Sequence, residues 1–201
     1  MAKGLLLTGG MSVIYRLFSN IFVKEPTFDF LRLLQEGSNK KLFESFRIDP
    51  LSDIKDLSAN EQVEAIAVEY ARLFLVPGSS ASPRESIQRG EKTLWGAHTV
   101  EVNELYKKFG FELDDSFKDT PDHLSAELGF LAELSALEAE YDGKNMEEAS
   151  RGVRQVKKHF LENHILKWFM RFKDEVDKSA KLSYYKQMTR FLGIILDEEV
   201  R

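Results

Sequence analysis

Apolar residues recur at three- and four-residue intervals from one end of this chain to the other, and nowhere do they alternate one-in-two between hairpin turns. That period belongs to helices, so the pattern predicts an all-α protein. The first apolar run, Leu5 to Ile14, is interrupted by Gly9-Gly10. It continues through Tyr15, Leu17, Phe18, Ile21 and Phe22 at helical spacing and reads as the first core helix. Thr27 caps a short helix to about Gln35, ending near Gly37, and Ser38 caps another to about Phe46. Pro50 to Leu57 reads as a connector. Ser58-Ala59-Asn60-Glu61 is a capping box that opens a helix carrying Val63, Ile66, Tyr70, Leu73 and Phe74 on one face, and it stops before Pro77-Gly78. After a Gly/Ser/Pro loop, Ser82-Pro83-Arg84-Glu85 reads as a second capping box, with Pro83 at the first helical position and a helix to about Trp95. A further helix runs from about His98 to Phe109 and closes at Gly110.

In the second half, Thr120 is placed as an N-cap and Pro121 as the first helical residue of a segment whose leucines, Leu124, Leu128, Leu131, Leu134 and Leu137, line one face. It turns at Asp142-Gly143. The next helical stretch opens at Asn145 and carries Val153, Val156, Phe160, His164, Trp168 and Phe172; the last, starting at Ser179 or Ser183, runs to Leu196. The polar, turn-forming residues between Phe111 and Thr120 mark a hinge. They divide one domain, residues 1–201, into an N-terminal lobe 1–110, a hinge 111–120 and a C-terminal lobe 121–201.

Composition narrows the function classes. With 43% hydrophobic and 30% charged residues, the 201-residue chain matches a globular protein with a core of its own. The absence of cysteine excludes disulfides, thiolate metal sites and thiol catalysis, and favours a cytoplasmic location. A net charge of −5 argues against nucleic-acid binding, which needs a concentrated basic face, and suits a basic peptide partner. No stretch approaches the roughly 18 apolar residues of a membrane span.

Candidate chemistry is sparse. Phosphate-loop, dinucleotide, zinc-protease and nucleophile-elbow motifs are missing, so neither a catalytic residue, a metal site nor a cofactor is expected. Asp122 and His123 stand out, because the first turn of a helix exposes free N–H groups that favour a negative neighbour. There the pair could display polar chemistry at the mouth of a cleft, or merely complement the helix dipole and satisfy a neighbour. In that position their replacement by alanine changes stability by only about half a kcal/mol. A small nucleotide-dependent hydrolase, with His123 as base oriented by Asp122, is the alternative reading. Adjacent helical residues diverge by about 100°, which makes a poor dyad. Tyr70, Leu73 and Phe74 are most simply core residues, yet the loop beyond them would leave an apolar groove for an amphipathic peptide.

Several segments taken in order carry a resemblance: Tyr70-x-x-Leu73-Phe74, Pro77, Ser82-Pro83-x-Glu85-Ser86, Trp95-Gly96, Tyr106 with Gly110-Phe111, and Pro121-Asp122-His123-Leu124 with Glu127-Leu128-x-Phe130-Leu131. With Phe160-x-x-x-His164-x-x-x-Trp168-x-x-Phe172, they resemble the TorD, DmsD and NarJ family of chaperones that mature molybdenum-containing redox enzymes. The resemblance implies a helical bundle of about nine to ten helices. It implies a non-enzymatic chaperone that grips the twin-arginine signal peptide, or an equivalent N-terminal segment, of an apo catalytic subunit until its cofactor is inserted, in contact with the insertion machinery. Its peptide-contact positions fall on Tyr70, Leu73, Phe74, Pro83, Trp95, Pro121, Asp122, His123 and Glu127. The signal-peptide branch of that family carries Glu-Pro-x-Asp-His, whereas this chain has Asp119 and Thr120 in the first two places and its proline at Pro121. A monomer is expected, and the hinge would permit a domain-swapped dimer by exchange of the C-terminal helices.

Overall fold

The computed structural model describes residues 10–200. Among them are ten α-helices and no strand. They are α1 (Gly10–Val23), α2 (Phe28–Gln35), α3 (Gly37–Ser45), α4 (Ala59–Tyr70), α5 (Glu85–Gln88), α6 (Ala97–Lys108), α7 (Leu124–Gly143), α8 (Glu147–Phe160), α9 (Leu166–Ser179) and α10 (Ser183–Glu199). Two π-helical turns, Ala71–Leu75 after α4 and Leu161–Ile165 between α8 and α9, widen the chain locally. The part of the first apolar run that precedes Gly10 lies outside the described residues.

Local signals place many of the helix ends. Thr27 Oγ1 accepts from the Phe30 N–H at 3.3 Å, and Ser58 and Glu61 form the reciprocal capping box. Gly110, at φ +67°, supplies the left-handed residue that ends α6. Two predicted starts are corrected. α3 begins at Gly37 behind Glu36, not behind Ser38. The box at Ser82–Glu85 does not form: α5 is a single turn with Arg84 at its N-cap, and Gly90 at φ +91° lies just beyond its end, well short of Trp95.

Burial of one stripe per helix assembles the core. α1 contributes Ile14, Tyr15, Leu17, Phe18, Ile21 and Phe22, each stabilising by about 1.5–3 kcal/mol when fully buried. α1 lies against α7, where Ser19 Oγ donates to the Ser125 carbonyl at 2.7 Å, and its Phe18 ring meets Phe191 of α10 edge-on at 5.4 Å. One apolar cluster therefore runs through residues from both sides of the 111–120 segment.

The second π-turn explains how Phe160, His164, Trp168 and Phe172, each four residues apart, are all buried. Four residues of α-helix advance about 400°, so such a series drifts off its face by about 40° per step. A wider π-turn offsets that drift and returns the stripe to the core.

Candidate functional site

α7 does not begin where its sequence places it. Its N-cap is His123, whose Nδ1 accepts from the Ser125 N–H at 3.1 Å, and the helix starts at Leu124. Thr120 to His123 is instead a turn closed by the His123 N–H on the Thr120 carbonyl at 3.0 Å, with Pro121 at its second position, where a fixed φ fits. The chain has a tertiary reason to stay out of a helix until Leu124. Arg84 and His123 form an antiparallel bridge, in which the Leu124 N–H donates to the Pro83 carbonyl at 2.8 Å and the Glu85 N–H to the Asp122 carbonyl at 2.9 Å.

Asp122 is therefore not displayed at a mouth. Its side chain is fully buried, and Oδ2 accepts from the Ser86 N–H at 2.8 Å, so the carboxylate sits at the N-terminus of α5 rather than of its own helix. His123 is 3% exposed. Burial pulls its pKa down to about 4, against the opposing pull of Asp119, so the ring is neutral near pH 7. With Nδ1 accepting from Ser125, the ring proton sits on Nε2, 4.0 Å from Asp119 Oδ2. His123 thus has no free basic nitrogen, which removes the base that the hydrolase alternative requires. Asp119 is itself clamped by Arg84 through bonds of 2.7 and 2.5 Å, and it keeps a carboxyl pKa below the usual range against the opposing effect of burial.

Beneath this bridge lies a polar knot inside the core. Glu85, fully buried, accepts from Arg89 Nη1 at 2.6 Å with one oxygen and from His164 Nδ1 at 2.9 Å with the other. Glu127, also fully buried, accepts from Trp168 Nε1 at 3.3 Å. Burial first, and then the charges of Glu85 and Asp122, push the Glu127 carboxyl well above the usual carboxylate range. The Tyr106 hydroxyl donates to the Pro121 carbonyl at 3.0 Å and completes the lining.

The structure divides the sequence-predicted site residues into three groups. Pro83, Pro121, Asp122, His123 and Glu127 come together, but buried, as the scaffold that locks α5 against the start of α7. Tyr70, Leu73 and Phe74 are core residues: Phe74 packs edge-on against Phe22 at 6.2 Å and Tyr185 at 5.0 Å, and the Tyr70 hydroxyl donates to the Phe22 carbonyl. The expected groove over that stripe is closed, because α1, α9 and α10 cover it through Phe22, Phe172 and Tyr185. Trp95 alone is exposed, at 62%, beside half-exposed Leu94 in the loop between α5 and α6. Sequence reasoning missed the knot partners Arg89, His164 and Trp168. For His164 and Trp168 the signal was a histidine and an indole N–H on an otherwise apolar stripe, which need buried partners; Arg89 carried none. Arg84 and Asp119, 35 residues apart, carry no local signal.

No group of three His, Asp or Glu residues among those described is arranged to hold a metal, and no described helix is long and apolar enough to cross a membrane.

This arrangement of helices is shared. A crystal structure described as that of a redox enzyme maturation protein from Archaeoglobus fulgidus superimposes with a TM-score of 0.53 at 25% identity, covering 92% of this chain and 95% of that one. The sequence profile of the nitrate reductase delta subunit family matches residues 45–174. The chain belongs to that family. Within the TorD and NarJ group, the chaperone protein TorD of Vibrio parahaemolyticus is 28% identical over 194 residues, 89% of this chain and 87% of the relative. The selenate reductase assembly chaperone of Thauera selenatis is 30% identical over 139 residues, 67% of this chain and 68% of the relative. Like these relatives, this delta-subunit family member is a chaperone and not an enzyme.

Proposed function

We propose that this chain is a cytoplasmic assembly chaperone for the catalytic subunit of a molybdenum-containing oxidoreductase. It binds the twin-arginine signal peptide, or an equivalent N-terminal segment, of the apo subunit and holds it until the cofactor is inserted, before export or membrane assembly. The observation that carries this reading is similarity to TorD chaperones along about nine-tenths of the chain. The charge fits as well: a net −5 protein complements a leader that joins basic residues to an apolar stretch.

In this reading Trp95 touches the client, while Asp122, His123 and Glu127 are positioning residues. Asp122 holds the N-terminus of α5, α5 leads directly into the loop that presents Leu94 and Trp95, and the knot fixes where that loop emerges. The irregular 111–120 segment is the hinge of this proposal, and the working state is a monomer.

The test is calorimetric titration with synthetic leader peptides of the molybdoenzyme subunits encoded beside this chain, paired with co-purification of the cofactor-free and the mature subunit. Binding of one leader and retention of the cofactor-free form support the proposal. Binding of neither a leader nor the apo subunit overturns it, and lasting stoichiometric association with the mature enzyme would make the chain a permanent subunit instead.

A further inference from the structure

The predicted groove is closed, but an open surface lies at the C-terminal end of α6. Phe109, the C-cap of α6, is 40% exposed, and the chain continues through Gly110 to Phe111, whose ring meets Phe130 of α7. On either side of Phe109 lie two concavities, of about 380 Å³ and about 270 Å³. Both are lined by Phe109 and Phe130, so they adjoin along this pair and make up a two-part trough beside α7 and α8. Its floor is aromatic: Phe130 is 6.2 Å from Phe109, 5.4 Å from Phe111 and 4.9 Å from Phe160, between ring centroids. Gly152 forms part of the far wall, and a Cβ there would meet nothing within 4 Å.

The trough is electrically polar. At the end lined by Leu134 and Leu137, the charged groups are Glu112 and Glu133. Glu133 is met by Arg16 of α1 at 2.9 Å, whereas Glu112 makes no ion pair among the described residues. The other end, towards Val156, carries Lys108 and His159, with the Lys108 ammonium 5.6 Å from the Phe109 ring centroid. A segment with basic residues followed by an apolar stretch matches this surface in one direction only. Its cations face Glu112 and Glu133, its apolar side chains lie over Phe109 and Phe130, and the reverse orientation would set cation against Lys108.

We infer that the Phe109–Phe130 trough is a binding site for a basic-then-apolar peptide segment, seated with its basic residues at Glu112 and Glu133. The inference rests on the proposed function for the source of that segment, the client's leader, and gives it a seat that the buried residues at Asp122 and His123 cannot supply. Along α7, the trough spans from Phe130 to Leu137, about 10 Å at 1.5 Å per residue, which accommodates about two turns of helix or three residues of extended chain.

Two exposed substitutions test it by calorimetry with a synthetic twin-arginine leader peptide and the same peptide with both arginines replaced by glutamine. Phe109→Ser is expected to weaken both peptides about tenfold, the loss of one well-buried apolar contact. Glu112→Lys is expected to weaken the arginine peptide about fivefold or more and the glutamine peptide less than twofold, with the difference shrinking in 1 M salt. Val68→Ser, an exposed apolar control on α4, is expected to change neither. Thermal melts of each variant establish that it is folded. If wild type binds the leader and Phe109→Ser and Glu112→Lys bind it equally well, the trough is not the seat and the inference fails while the chaperone reading stands. If wild type binds neither the leader nor the apo subunit, both fail.

Discussion

The knot beneath α5 and the trough across α7 and α8 both lean on α7, yet they place opposite chemistry in opposite surroundings. The knot hides three carboxyls, Glu85, Asp122 and Glu127, in the interior, where each must be neutralised, protonated or bonded to a backbone N–H. The trough does the reverse and leaves phenylalanine in reach of solvent, with acid at one rim. Residues most often associated with recognition, charged and histidine side chains, here maintain the shape. Those most often associated with a core are available to a partner. Loss of the first should therefore appear in stability, and loss of the second in binding.

The sharpest break of that contrast is Glu85→Ala. It strands His164 and Arg89 without their acceptor, and removal of one member of a buried charged pair typically destabilises by about 3–5 kcal/mol. Denaturant unfolding should show this loss. An unchanged midpoint would mean that the knot is not holding α5. For Asp122→Ala the same measurement should show a clear loss rather than the half kcal/mol expected of a first-turn surface residue, because its carboxylate caps a buried turn.

Acid titration probes the knot from another side. A histidine whose folded pKa is depressed contributes stability that is present above its unfolded value, about 6.5, and lost as pH falls through the folded value, about 4. The loss from His123 across that window amounts to roughly 3 kcal/mol at one pKa unit per 1.4 kcal/mol. His123→Gln should flatten the limb, and a wild-type curve with no slope between pH 6.5 and 4 would contradict the neutral buried ring. Glu127 runs in the opposite sense. Its raised pKa means that its contribution is complete below the unfolded value, about 4.3, and declines as pH rises. Glu127→Gln, which mimics the protonated acid, should therefore be more stable relative to wild type at pH 8 than at pH 5, as read by thermal melts at the two pH values.

The smallest effect on stability belongs to the exposed side. Trp95→Ala should leave unfolding within about 0.5 kcal/mol of wild type while weakening leader binding several-fold. Unaltered binding would remove Trp95 from the contact surface and leave the trough as the remaining candidate.

Much of the helix order was legible from periodicity and caps, since Ser58, Glu61, Thr27 and Gly110 act through neighbours a few residues away. What failed depended on distant partners. Ser82–Glu85 and Thr120–Pro121 both read as helix starts, and both are kept out of a helix by one bridge between Arg84 and His123, 39 residues apart in sequence. A stripe such as Tyr70, Leu73 and Phe74 correctly names the buried face of a helix. Its spacing says nothing of how thickly that face is covered, which here is decided by α1, α9 and α10. The knot escaped for a related reason: Glu85, Glu127 and His164 sit on three different segments, and only the fold makes them neighbours.

The meeting of Phe18 with Phe191 has a consequence for biogenesis. The ribosome releases α1 long before α10 exists, and at about 5–20 residues per second its greasy side waits on the order of ten to thirty seconds for its last partner. A nascent chain of this kind is exposed to aggregation during translation, so slower elongation or early truncation should lower its soluble yield.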